Sequence, residues 1–180
     1  MPIAATDILL KLSTKVGTAG NQNTSTANGS LGKYISTTVW DQGTLLNNLF
    51  DDVSGDDNAA SDVEYRCIFV HNAHATLTYQ NAVCWLSAEV TGGADAAISV
   101  DTTAASALAA TGAQAKEVAN EDTAPATQTF TAPTTKATGL VLGSLTAGQV
   151  KAIWVRRTAT NSAALNDDGF TLSVSGDTAP

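Results

Sequence analysis

The sequence predicts an all-β protein, an immunoglobulin-like or jelly-roll antiparallel β-sandwich with an extended N-terminal arm. Three observations carry this. Two long runs, Val63–Val70 and Ala75–Val90, crowd Tyr, Phe, Val, Ile, Leu and Trp together in the way of half-buried pleated surfaces. Shorter apolar runs recur between turns rich in Gly, Asp and Asn, a spacing that implies seven to nine strands. Charged residues make up only 14% of the 180, so the surface is neutral-polar rather than laced with charge. The length fits one sandwich with an appendage better than two domains.

From the N-terminus, Ile8, Leu9, Leu10 and Leu12 form a short apolar patch with neither a helical nor a strand period. Gly17–Ser30 (GTAGNQNTSTANGS) has nothing to bury and reads as a flexible or extended linker. Residues 1–40 are therefore expected to form the arm and linker, and 41–180 the sandwich. Within the first part, Gly32–Trp40 alternates in part and suits a strand. Leu45–Phe50 suits a helical turn plugging one end of the core, and Asp51–Asp57 an acidic turn.

The runs 63–70 and 75–90 flank His71-Asn72-Ala73-His74, which reads as a tight hairpin link. In that hairpin Cys67 lies opposite Tyr79 or Gln80, too far from Cys84 for a disulfide, so both thiols are expected to be small buried hydrophobes. Gly92-Gly93 breaks the pattern and Ala97–Val100 resumes it. The Ala-rich stretch Thr102–Asn120 fits a helix on propensity, a loop with a short helix, or a strand pair with small side chains. Pro125 and Pro133 bracket an edge strand at Thr127–Thr131.

Towards the C-terminus, Leu140–Leu145 leads through the turn Ala147-Gly148 to a strand at Val150–Thr158. There Ala152, Trp154 and Arg156 face one way, and Ile153, Val155 and Arg157 the other. Asp167-Asp168-Gly169 marks a turn before a last strand at Phe170–Val174. The runs holding Trp85 and Trp154 are the expected central strands, with both indoles in the core.

Chemistry-bearing residues are sparse. Cys67, His71, His74 and Cys84 nominally supply four zinc ligands as C-x3-H-x2-H-x9-C, but without the knuckle pairs that fix such sites no metal is expected. Asp51, Asp52, Asp56, Asp57, Asp62 and Glu64 lack calcium-loop spacing and read as a solvated acidic loop, with a weak cation site as the alternative. There is no G-x-S-x-G elbow, phosphate loop or G-x-G-x-x-G, so neither an enzyme nor a bound cofactor is expected.

A net charge of −8 argues against wrapping nucleic acid. No apolar run is long enough to span a membrane as a helix. The first residues lack the basic and apolar regions of a secretory signal, which predicts a protein made in a cytoplasm and used without translocation. Arg156 and Arg157, the one adjacent basic pair, either meet acidic loops on a neighbour or solvate a strand end.

Several phrases resemble virion structural proteins of tailed bacteriophages: SLGKYISTT at 30–38, LFDDVSGDDNAASDVEYRCIFVHN at 49–72, LTAGQVKAIWVRRT at 145–158 and DDGFTLSVSG at 167–176. The phrases make up about a third of the chain, and the resemblance around them extends over about two-thirds of it, leaving the Ala-rich middle unmatched. The resemblance implies a non-enzymatic particle component. Its leading form is a capsid decoration (cement) protein, assembled in the host cytoplasm, that clamps the major capsid protein as a symmetric homo-oligomer. A neck, tail or fibre component is the near alternative. A carbohydrate-binding or adhesin module using Tyr34, Trp40 or Tyr79 is the distant one. On this reading Ile8, Leu9, Leu10 and Leu12 sit on the tip of an arm that reaches a neighbouring subunit, and Arg156 and Arg157 are further partner contacts.

Overall fold

A computed structural model describes residues 2–22, 26–43 and 47–178. Among them lie nine strands: β1 (Ile8–Thr14), β2 (Tyr34–Val39), β3 (Val63–Asn72), β4 (Tyr79–Glu89), β5 (Asp95–Val100), β6 (Ser106–Ala107), β7 (Leu140–Leu145), β8 (Gln149–Thr158) and β9 (Phe170–Thr178). The antiparallel sheets curl into a half-barrel; with 41% strand against 9% helix, the predicted all-β sandwich class holds.

The large sheet runs β2-β1-β3-β8-β5, with β6 also on β8; the small one runs β7-β4-β9. The chain changes sheet between β3 and β4, between β4 and β5, between β6 and β7, and on each side of β8. The expected hairpin of 63–70 with 75–90 therefore does not form. Its two runs are interior strands of different sheets, and the link between them, residues 73–78, spans the sandwich. Asn72 holds that crossing, since its side-chain amide donates to Leu77 O and Leu145 O, both at 2.9 Å.

Burial explains the composition of each strand. Ile68, Val70, Ile153 and Val155 of the large sheet meet Ala82, Cys84, Leu86, Leu142 and Leu172 of the small one in the core between the sheets. The opposite face of the large sheet is covered as well. Cys67, Phe69, Val150, Ala152 and Trp154 pack there under Leu31, Ala115 and Val118 from the long connections. Strands buried on both faces read as unbroken apolar runs, which is why β3 and β8 stood out in the sequence. The opposed faces predicted for β8 are those observed.

Two expectations for the connecting segments are corrected, and the alternatives left open for a third are narrowed. Residues 1–40 are not an arm, because β1 pairs with β3 over Ile8–Leu12 and β2 pairs with β1. The apolar patch looked aperiodic because Ile8, Leu10 and Leu12 face the inter-sheet core while Leu9 lies on the other side, opposite His71. Gly17–Ser30 is packed rather than a free linker in its described part. Ala19 is buried, Gly20 N–H donates to Ile35 O, and Ser30 is fully enclosed. The Ala-rich stretch holds no helix. Turns and the two-residue β6 lay it over the sheet, where small side chains permit close approach.

At Gly32 that approach leaves no room for a side chain, since a Cβ would lie 1.9 Å from Lys116 O, at φ +93°. Residues 127–131 form no strand, only a bridge between Thr131 and Ile98. The acidic turn contains a short helix, α1 (Gly55–Ala60), started by a reciprocal Ser54–Asp57 capping box. Of the proposed plug at 45–50, residues 45 and 46 lie outside the described residues, and Leu49 and Phe50 are buried in the inter-sheet core.

Candidate functional site

The expected partner contacts are mostly occupied within the chain. Ile8, Leu10 and Leu12 belong to the inter-sheet core, and Leu9 is half-buried on the other face. Arg157 pairs with Glu64, reaches Asp51 at 3.6 Å and lies 4.8 Å over the Phe50 ring. Arg156 sits 5.5 Å over Phe130, its Nε enclosed without a partner.

A third arginine, Arg66, lies outside the residues singled out from the sequence. Arg66, with its side chain fully buried, pairs with Glu121, lies 5.2 Å over Phe50, and donates to Leu49 O at 3.1 Å and Tyr65 O at 3.2 Å. Its position inside an apolar run concealed it, although an Arg among buried strand residues is itself a signal for buried acid partners. The acidic cluster is accordingly divided among structural tasks. Asp51 and Glu64 serve the arginines, and Asp62 accepts from Val63 N–H. Asp57 caps α1, and the Ser54 hydrogen bonds hold its carboxyl below the ordinary value. Burial raises the Glu64 carboxyl, against the pull of Arg157.

The soft ligands do not converge. Cys67 sits opposite Trp154 in the large sheet and Cys84 opposite Val174 in the small one, both free and buried. Burial raises both thiols, Cys84 to about 12. His71 is buried and lowered to about 4 by desolvation, with Lys11 adding to the effect. His74 ties the link, its Nδ1 accepting from the N–H groups of Thr76 and Leu77. Among the described residues no three His, Cys, Asp or Glu are placed to hold a metal ion.

At one end of the sandwich, residues 40–43, 47–55, 88–94 and 159–171 border a cleft of about 1070 Å³. Trp40, Phe50 and Phe170 form part of its wall, with the Trp40 and Phe170 rings 6.1 Å apart. Trp40 Nε1 and Asp168 Oδ1 lack partners, but both are enclosed and so closed to a ligand arriving from solution. The aromatics expected for a sugar platform are placed against that use. Trp40 and Tyr79 are 5% and 7% exposed, and Tyr34 is half-buried with Lys33 over its ring.

The surface that stands open is the outer face of the small sheet. In β4, Ala82, Cys84 and Leu86 point inward, so Val83, Trp85 and Ser87 point out. Val141 of β7 lies directly opposite Val83 and is 72% exposed, the most exposed large apolar residue described. On the other side, Ser173 and Ser175 of β9 pair with Trp85 and Val83. None of Val83, Trp85 and Val141 belongs to either core. The expectation that Trp85 packs the interior is corrected, since strand alternation puts it on the outside and leaves it half-buried. The three strands carry only two charged residues, Glu89 and Asp177, each at a strand end. This face is uncharged at its centre and partly apolar.

No family model, curated protein or solved structure matches the chain.

Proposed function

We propose that the chain is a non-enzymatic structural protein of a tailed-bacteriophage particle, a capsid decoration (cement) protein that binds the major capsid lattice. The observation that carries this reading is where the virion-like phrases fall. Residues 30–38, 49–72, 145–158 and 167–176 contain most of β2, all of β3 and β8 and most of β9, together with Phe50, Asp51, Arg66 and Arg157. The phrases thus supply three strands of the large sheet, one of the small sheet, and the arginine cluster at the large sheet's end. A framework covered on both faces leaves contact with other particle proteins to outward surfaces, and the small-sheet face is the open one. With β1 inside the sandwich, that face replaces the N-terminal arm as the partner-facing element.

Quantitative mass spectrometry of purified particles whose genome encodes this chain tests the proposal. Hundreds of copies per particle are expected for a decoration protein. A copy number in the tens moves the chain to the neck, tail or fibres, and absence from the particle overturns the reading.

A further inference from the structure

We propose that Asn28-Gly29 is a spontaneous modification site, an asparagine that converts to aspartate or isoaspartate through a cyclic imide, and that the arginine cluster gates the conversion. The inference does not depend on the particle reading, and either can fail while the other stands.

The chemistry starts from the dipeptide. Asn28 is the only asparagine of the chain followed by glycine. Because Gly29 carries no Cβ, its backbone nitrogen meets the least hindrance in reaching the Asn28 side chain. That nitrogen attacks Asn28 Cγ, and a new Cγ–N bond replaces the Cγ–Nδ2 bond. The side-chain nitrogen leaves as ammonia, taking up the proton released by Gly29 N–H. Water then opens the imide at one carbonyl or the other, giving aspartate or isoaspartate. Asn28 is exposed, so water reaches it freely.

The fold restrains both reacting groups. Residues Ala27–Gly29 form a single 3-10 turn, in which Gly29 N–H donates to Thr26 O at 3.1 Å. This bond ties down the attacking nitrogen and its proton. The Asn28 side chain is clamped at both of its polar atoms. Its Oδ1 accepts from Arg66 Nη2 at 3.0 Å, and its Nδ2 donates to Asp51 Oδ2 at 3.2 Å. Arg66 is itself fixed by Glu121 and Leu49 O. Conversion therefore waits until turn and clamp open together, and its rate in the folded chain is the open fraction multiplied by the rate of an unrestrained chain.

The product does not fit back. An oxygen stands where Nδ2 donated to Asp51, so two carboxylates meet in a cluster that already holds Asp51, Glu64 and Glu121. Isoaspartate also lengthens the main chain by one carbon between two anchored neighbours. Ala27 packs against the inter-sheet core, and fully buried Ser30 accepts from Ser13 N–H at 2.8 Å while donating to Cys67 O. Asn28 thus keeps a one-way record of the time this end of the molecule has spent open.

Peptide mapping by mass spectrometry of the full chain, incubated at mildly alkaline pH, reads the conversion. In urea the unfolded chain is expected to convert at Asn28 before any other asparagine. The folded wild type is expected to convert there at least about tenfold more slowly. Asp51→Ala removes the acceptor of Asn28 Nδ2 and is expected to speed folded-state conversion at least about threefold. Asp52→Ala removes the same charge from an exposed neighbour that makes no ion pair among the described residues, and is expected to match the wild type. Amide exchange at Gly29 should rise in Asp51→Ala while the β8 amides stay protected, which separates opening of the clamp from loosening of the whole fold. Folded chains carrying isoaspartate, separated by ion exchange, are expected to melt below the unconverted protein.

Four results would overturn the proposal: an Asn28 that persists in urea, equal conversion rates in the folded and unfolded chain, equal rates in the two variants, or isoaspartate chains that melt like the unconverted protein.

Discussion

β8 and β4 are interior strands of their sheets and each carries a tryptophan, yet Trp154 is completely buried while Trp85 lies half-buried on an open face. Trp154 sits under the 101–131 connection. Its indole N–H donates to Asp101 Oδ2 at 2.7 Å, and Asp101 also accepts from the N–H groups of Thr103 and Lys116. Trp85 has only small serines beside it on β9. The difference teaches that sandwich strands of similar composition are assigned their work by the connections that cross them. The large sheet is the middle of three layers, and the small sheet is an outer wall with one bare side.

The largest effect tests this directly. Trp154→Ala is expected to destabilise the fold by about 4 kcal/mol, as for large core aromatics, with the Asp101 carboxylate left short of a donor. Trp85→Ala is expected to cost no more than about 1 kcal/mol, because the ring is already partly in water. Urea denaturation of both variants measures the contrast, and comparable losses would break it.

Arg66→Met comes next, at about 3 kcal/mol, because it removes a buried guanidinium from Glu121 and leaves Leu49 O and Tyr65 O without their donor. A loss below 1 kcal/mol would mean that the cluster around Phe50 is solvated instead of locked.

These two sites mark how far the sequence could be read. β3, β4, β5, β7, β8 and β9 were legible because their apolar content matches the buried pleat, and the opposed faces of β8 were read correctly. Which sheet each strand joins was not legible, since a short link such as 73–78 serves a hairpin or a crossover equally well. Nor was the covering layer legible. Gly17–Ser30 and Thr102–Asn120 bury small side chains such as Ala19 and Ala115, which carry no hydrophobic signature of their own. Reading those segments as linker and indeterminate followed from that, and so did placing Ile8–Leu12 on an arm. Of the candidate surface, Trp85 reads as inward from the sequence alone, because without the strand's partners nothing in the run Val83–Ser87 says which parity meets the core.

Two glycines sharpen the comparison at nearly equal backbone angles. Gly32 lies under the covering layer at φ +93° and Gly143 on β7 at φ +86°. A Cβ at Gly143 meets nothing within 4 Å, so Gly143→Ala carries only backbone strain, about 1 kcal/mol. Gly32→Ala adds a collision with Lys116 O and is expected to exceed about 2 kcal/mol. Equal melting points for the two variants would show that the covering segment yields without resistance.

Acid is expected to act on the large sheet through His71. Its imidazole is held neutral in the folded state, with a pKa of about 4 against an ordinary 6.5, so the unfolded chain takes up the proton first. The associated stability is fully present above pH 6.5, declines as the pH falls, and is lost below about 4. At pH 5 the effect is on the order of 1 kcal/mol once partial exposure is allowed for. His71→Gln should flatten the stability profile across that window, measured against the wild type at matched pH. An unchanged slope would place the acid sensitivity elsewhere.

The smallest effect concerns how the two sheets finish their edges, since an unpaired strand edge invites pairing with another chain. Each uses a glutamine. At β2, Gln114 is 1% exposed; its Oε1 accepts from Ile35 N–H at 3.0 Å and its Nε2 donates to Ala107 O at 2.8 Å. At β9, half-exposed Gln42 donates from Nε2 to Leu172 O at 2.9 Å and accepts from Leu172 N–H at 2.7 Å. The amide of Gln42 thus stands where a neighbouring strand would. At that more open edge water replaces it readily, so Gln42→Ala is expected to cost less than about 1 kcal/mol. Its clearer signature is local, because amide exchange at Leu172 should accelerate while exchange at Ile35, held by Gln114 in the covered sheet, stays slow. Equal protection of Leu172 in the variant and the wild type would mean that β9's edge is closed by something other than Gln42.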